Sequence, residues 1–398
     1  MAWPSELRCA RREFLGLAGA ALLAGRIASP AAASTRRRRT APQATPDTAF
    51  DAMFTAYGNN TDPSVVRWLG GDSTWSIRLP DGRTIWAFSD TFVGHVVWDG
   101  SRGVYTIPQS TTMIHNCYVV QRANAMTLDR TLYGGTPAHP SSLISPAAND
   151  GTWYWTGDAT IEATKLRQVV TRWRRTGPGV FDVEQFAVDV ATFALPGLQL
   201  QRIDPTPHGY TVMGSGFGVS YSAAIREDST YTYLYGVEDG GLEKWLHLAR
   251  APAGNILGPW QFWTGRGWST DPQASARLVA GGAAMDNLAT EVGVSRSASR
   301  LYNLVDQDFC IGNDVLLYSS AGPWGPWTRQ GTMYTCPEHD AYRALGYDQV
   351  YPYNSKGHPE FCSGGKMLVT YNVNSFSPPA VYADASIYRP RFLRAAIC

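Results

Sequence analysis

The sequence predicts an all-β fold, and more narrowly a five-bladed β-propeller, from three observations. From about Phe54 to the end, short alternating or aromatic-rich runs bounded by Gly, Pro, Asp and Asn recur, with almost nothing of helical period. Five of these runs are alike, each an apolar or aromatic strand running into polar residues: RTIWAFSDTFVG from Arg83, GTWYWTGDA from Gly151, YTYLYGVED from Tyr231, RLYNLVDQD from Arg300 and KMLVTYNVN from Lys366. Measured from Trp86, Trp153, Tyr231, Leu301 and Met367, they are spaced by 67, 78, 70 and 66 residues. A near-regular period of that size reads as repeated supersecondary units, here blades of about four strands around a channel. LGPWQFWTG from Leu257 and AGPWGPWTRQ from Ala321 follow the third and fourth strands at a comparable distance, with a weaker RTGPGVFDVEQF from Arg175 after the second. A β-sandwich with long insertions is the competing architecture, and it leaves the equal spacing unexplained.

Three segments are expected along the chain. Residues 1–33 carry a basic start, the pair Arg11-Arg12 followed by Glu13-Phe14-Leu15, a short apolar stretch and then Ala31-Ala32-Ala33. This is the pattern of a twin-arginine export signal with a small-residue cleavage site, and the apolar stretch is too short to span a bilayer comfortably. The mature protein is therefore expected outside the cell, without a membrane span. Residues 34–50, with four Arg from Arg36 to Arg39 and then TAPQATPDT, are expected to form a disordered linker. Residues 51–398 are expected to form the propeller.

Composition narrows the partner. The formal net charge of the 398 residues is +1, and the export segment removes four Arg and two Glu, so the remainder is close to neutral. No basic stripe is available for phosphate contacts, which argues against nucleic acid. Charged residues are 17% and aromatics 12%, with 14 Trp and 20 Tyr, a mix that suits sugar-binding clefts and all-β cores alike. Of six Cys, Cys9 leaves with the export segment; the others are Cys117, Cys310, Cys336, Cys362 and Cys398. In an oxidising compartment Cys310–Cys336 and Cys362–Cys398 are candidate bridges, one Cys stays single, and spacing leaves the connectivity open. No CxxC or HxxxH pattern marks a metal, and no cofactor is expected.

The chemistry concentrates between Trp68 and Gly94, WLGGDSTWSIRLPDGRTIWAFSDTFVG. Leu79-Pro80-Asp81-Gly82 is a hairpin signal, so residues 75–79 and 83–88 should pair. Asp72 and Asp90 stand nine residues either side of Asp81, where two acids face each other across the hairpin. Two close carboxylates cannot both ionise easily, so the pair can divide acid and base roles, as glycoside hydrolysis requires. The alternative is that both cap strand ends and accept turn amides.

The same run resembles the opening blade of a bacterial five-bladed propeller family, formerly a domain of unknown function, whose members include endo-D-arabinanases acting on mycobacterial arabinan. MIHNC (Met113 to Cys117), HPEF (His358 to Phe361) and VTYNVN (Val369 to Asn374) agree with it. The resemblance implies that Asp72 and Asp90 are the catalytic pair and that the substrate is a cell-wall arabinan cut internally. Related-looking propeller arabinanases can hold calcium in the channel, although no oxygen-rich loop of the dedicated type is present. Ser89 stands where relatives usually have Gly, and Cys117 where Ser is common. Further candidates to bind sugar or tune an acid are His115, Asn116, Asp158, Glu238, His358, Glu360, Trp75 and Tyr371, with Trp155 and Asp306 beside them. Each of these also has a structural reading as a turn, core or strand-end residue. A non-catalytic carbohydrate-binding propeller, or a glycosidase for another furanose glycan, would use the same aromatic cleft.

Overall fold

The computed structural model describes residues 41–148, 150–179, 182–241 and 243–398. The expected export segment and the first part of the expected linker lie outside the described residues. The linker expectation fails at its C-terminal end. Thr45–Pro46 is a strand paired with Arg391–Ala395, and Thr48–Gly58 is an α-helix. Composition hid the helix, but its residues explain it. Asp47 caps the first turn by accepting from the amides of Ala49 and Phe50, and Phe50, Met53, Phe54 and Tyr57 fall on one face at helical spacing and are buried.

The remainder is all-β. Among the described residues, five sheets have four strands or more. The first holds Trp75–Arg78, Thr84–Phe88, Cys117–Gln121 and Leu128–Leu132. The second is built on Trp153–Glu162, the third on Gly218–Glu227, the fourth on Gly293–Arg296 and the fifth on Val350–Ser363. These five strands contact one another in cyclic order, and the fifth touches the first. The strand Thr45–Pro46 completes the outer side of the fifth sheet, so the first and last strands of the described residues join in one sheet.

The expected hairpin forms: Trp75–Arg78 pairs with Thr84–Phe88. Beyond it the two strands bend and continue as a second antiparallel pair, Arg67–Gly71 with Thr91–Gly94. Asp72 and Asp90 occupy the two facing bends. The core between the first and fifth sheets is aromatic. Trp86, fully buried, meets Phe50, Phe54, Phe361 and Phe392 at ring distances between 5.2 and 6.0 Å.

Of the two candidate bridges, Cys362–Cys398 is a disulfide. Cys310 and Cys336 are not joined: Cys310 occupies a left-handed turn position with φ of 67°, while the Cys336 thiol faces Gln307 Nε2 at 4.0 Å. The bridge closes a loop of sequence separation 36 and ties the C-terminus to the end of the fifth sheet's inner strand. Replacing both Cys362 and Cys398 by Ser should destabilise the protein by about 3–4 kcal/mol, because the unfolded chain regains loop freedom. Chemical denaturation of the oxidised protein against the double variant measures this.

Candidate active site

The turn that carries Asp72 is strained. Ser73 and Thr74 have φ of 68° and 56°, a region rare for residues with a β-carbon and rarer for a β-branched one. The Thr74 amide folds back on the Asp72 carbonyl at 2.9 Å, and that carbonyl also accepts from the Ser89 amide at 3.1 Å. The Asp72 amide donates to the Asp90 carbonyl at 3.3 Å. The two acids are therefore backbone neighbours across the bend.

Each carboxyl is buried and held by one oxygen. Asp72 Oδ2 accepts from the hydroxyls of Tyr388 at 2.9 Å and Tyr353 at 3.1 Å. Asp90 Oδ1 accepts from Trp155 Nε1 at 2.9 Å and lies 2.8 Å from His115 Nδ1. The other oxygens, Asp72 Oδ1 and Asp90 Oδ2, have no hydrogen-bond partner among the described residues. Orphaned buried carboxyl oxygens are costly, and at a site of chemistry they are the atoms left for a ligand. Burial, then the Asp90 charge, then the Glu291 charge push the Asp72 carboxyl well above the ordinary carboxylate range, against the two tyrosine hydrogen bonds. Asp90 lies one side chain beneath solvent, since the His115 side chain that touches it is 40% exposed. The His115 ring stacks on Trp153 at 5.0 Å, and Trp155 packs against Trp153 and Trp173, so both side chains that meet Asp90 Oδ1 are fixed by aromatic packing.

Ser89, which departs from the resembled pattern, has its Oγ 2.8 Å from Ser73 Oγ and accepts from the Thr156 amide at 3.0 Å, tying the bend to the second sheet. Glu291 reaches the same place from the bend that precedes the fourth sheet's strand Gly293–Arg296, accepting from Ser73 Oγ at 2.7 Å and pairing with Lys356 at 2.6 Å. Glu291, Lys356, Tyr353 and Tyr388 carry no local sequence signal. They lie more than 200 residues from Asp72 in the chain, and only ring closure brings them there.

The structure disperses the other expected residues. Asn116 spends its amide on the backbone of Ile144 and Tyr154. Tyr371 is buried in the fifth sheet with its hydroxyl on Glu338, away from the acids. Glu238 forms a separate cluster with Arg277, His247 and Ser215. Asp306 accepts the Ala289 amide. Asp158, His358 and Glu360 converge, but apart from Asp72 and Asp90, where with Ser76, Thr160 and Arg78 they line a cavity of about 620 Å³. Neither Asp72 nor Asp90 lines that cavity. Trp75 forms its inner wall, with Nε1 donating to the Thr156 carbonyl at 3.2 Å.

A calcium ion in the channel fits these donors poorly. Both Asp158 oxygens accept backbone amides, from Ala159 at 2.7 Å and Ile225 at 2.6 Å. The His358 ring is held between the hydroxyls of Ser76 and Thr370, and burial pushes its imidazole well below its usual range. Among the described residues no group of three or more His, Cys, Asp or Glu could hold a metal ion, and calcium takes six to eight oxygens.

Comparisons with known proteins follow the fold. A candidate hydrolase from Bacteroides ovatus ATCC 8483 is 20% identical, with 91% of this chain and 92% of that one covered and a TM-score of 0.69, which shows a shared fold. Two weaker likenesses are to the GH43_1 enzyme from Xanthomonas citri complexed with xylotriose (13% identity, 88% and 93% covered, TM-score 0.48) and to the exo-beta-1,3-galactanase from Phanerochaete chrysosporium (11% identity, 83% and 63% covered, TM-score 0.44). No curated protein matches the chain. Over residues 47–396 it matches the family described as "Domain of unknown function (DUF5005)", and the chain belongs to that family.

Proposed function

We propose that the protein is an exported glycoside hydrolase built as a five-bladed propeller, with Asp72 and Asp90 as its catalytic acids and a cell-wall arabinan as its substrate. One observation carries the hydrolase reading: two buried carboxyls opposed across one bend, each with one oxygen held and one unmet. Their environments differ in the way the reaction needs. Asp72 keeps its proton to higher pH, so it donates that proton to the glycosidic oxygen as the bond to the anomeric carbon breaks. Asp90, held by Trp155 and His115, acts as the base that takes a proton from the attacking water, or as the nucleophile itself. The anomer of the first product distinguishes the two: inversion assigns the base and retention the nucleophile.

The five sheets in cyclic contact support the blade count. Arabinan, the internal mode of cleavage and the D-sugar rest on the resemblance of the first-blade run, and export rests on the Arg11-Arg12 segment. The test is product analysis after incubation with purified D- and L-arabinans, xylan and galactan. Oligosaccharides released from D-arabinan alone are the expected result. Cleavage of another glycan in its place would overturn the substrate, and release from none would overturn the reaction.

A further inference from the structure

The first sheet does not hold the Asp72 turn by itself. A left-handed Ser-Thr pair persists only where the surroundings over-determine it, and here they come from the fifth sheet and from the bend that leads into the fourth. Lys356, on the inner strand of the fifth sheet and 1% exposed, donates from Nζ to the Ser73 carbonyl and, at 3.1 Å, to the Asn354 carbonyl. It pairs with Glu291 Oε2 at 2.6 Å, and Glu291 Oε1 accepts from Ser73 Oγ at 2.7 Å. One ion pair thus grips both the main chain and the side chain of the residue next to Asp72. A lysine this deep is costly unless its charge and its donors are met, and two of its partners, the Ser73 carbonyl and Glu291, belong to this grip.

We propose that Glu291 and Lys356 are positioning residues: an ion pair supplied by the bend before the fourth sheet and by the inner strand of the fifth clamps Ser73 and so aims the Asp72 carboxyl at the substrate. This rests on the reading of Asp72 as the proton donor. Lys356 acts through the Ser73 carbonyl, and Glu291 acts both through the Ser73 hydroxyl and through its charge on Asp72.

The clamp has an electrostatic side. The charged groups facing Asp72 are Asp90 from the opposite bend and Glu291 from the bend before the fourth sheet, with Lys356 of the fifth paired to Glu291 and donating to the Ser73 carbonyl. Tyr353 and Tyr388 are the titratable hydroxyls bonded to Asp72. Arg389, beside Tyr388, is turned to the Leu69 carbonyl and Asn59. After burial and Asp90, the Glu291 charge is the next influence holding the proton on Asp72. Removing that charge should lower the pH at which Asp72 ionises.

The experiment follows the carboxyl carbon resonance of Asp72 against pH in the wild-type protein and in Glu291→Gln, with the resonance identified by its loss in Asp72→Asn. Gln keeps an acceptor for Ser73 but no charge. The expected result is a midpoint lower by about one pH unit, with the alkaline limb of the kcat profile moving the same way. Lys356→Met should lower kcat by about a hundredfold with KM nearly unchanged. An unmoved Asp72 midpoint in Glu291→Gln overturns the proposal. So does an inactive Glu291→Gln that regains activity on a substrate with an activated leaving group, since Glu291 would then be the donor. The titration needs no turnover, so a wild-type protein inactive on every glycan would remove the hydrolase reading and leave the clamp still judged by its midpoint.

Discussion

Asp72→Asn and Asp90→Asn should each lower kcat on the cleaved glycan by about a thousandfold while the protein stays folded. The amide at position 72 still accepts from Tyr353 and Tyr388 through its oxygen, but it has no proton to give the leaving group. At position 90 the amide oxygen still meets Trp155 and His115, but it cannot take a proton or attack carbon. Because Asp72 already favours its uncharged form when buried, Asp72→Asn should cost little stability and could be told from an unfolded variant by its thermal midpoint. Rate assays on both variants, with melting curves as the control, check this. Wild-type turnover in both would leave a carbohydrate-binding protein without catalysis.

Trp86→Ala should destabilise the protein by about 3–5 kcal/mol, the largest single effect expected on stability. The ring is fully buried where the N-terminal helix, the first sheet and the fifth sheet meet, and Nε1 donates to Gln121 Oε1 at 2.9 Å. Alanine leaves a cavity among Phe50, Phe54, Phe361 and Phe392 and takes the donor from a buried amide. Equilibrium denaturation measures the loss, and Trp86→Phe should recover part of it by refilling the space. An unchanged midpoint for Trp86→Ala would mean that this junction does not hold the ring of sheets together.

The first-sheet hairpin and its two acids were legible because they are local. LPDG sets the turn, strand alternation sets the register, and equal spacing from the turn places Asp72 opposite Asp90. The helix from Thr48 to Gly58 was missed because its apolar face begins inside a segment whose Pro, Thr and Arg content reads as linker. Asn116 and Tyr371 looked like site residues because they end or line strands of the repeated type. The sequence does not say that their polar atoms are taken by Ile144 and Tyr154 or by Glu338.

Period and hairpin chemistry alone therefore determined an all-β chain of repeated strands and one pair of facing acids. The tertiary structure decided which environment each acid has: Tyr353, Tyr388, Glu291 and Lys356 around Asp72, Trp155 and His115 around Asp90, and His358 and Glu360 in a separate cavity. Strand pairing within a hairpin depends on neighbours a few residues apart, whereas a buried carboxyl responds to every charge and donor within a few ångströms. In a ring of sheets those neighbours come from all parts of the chain.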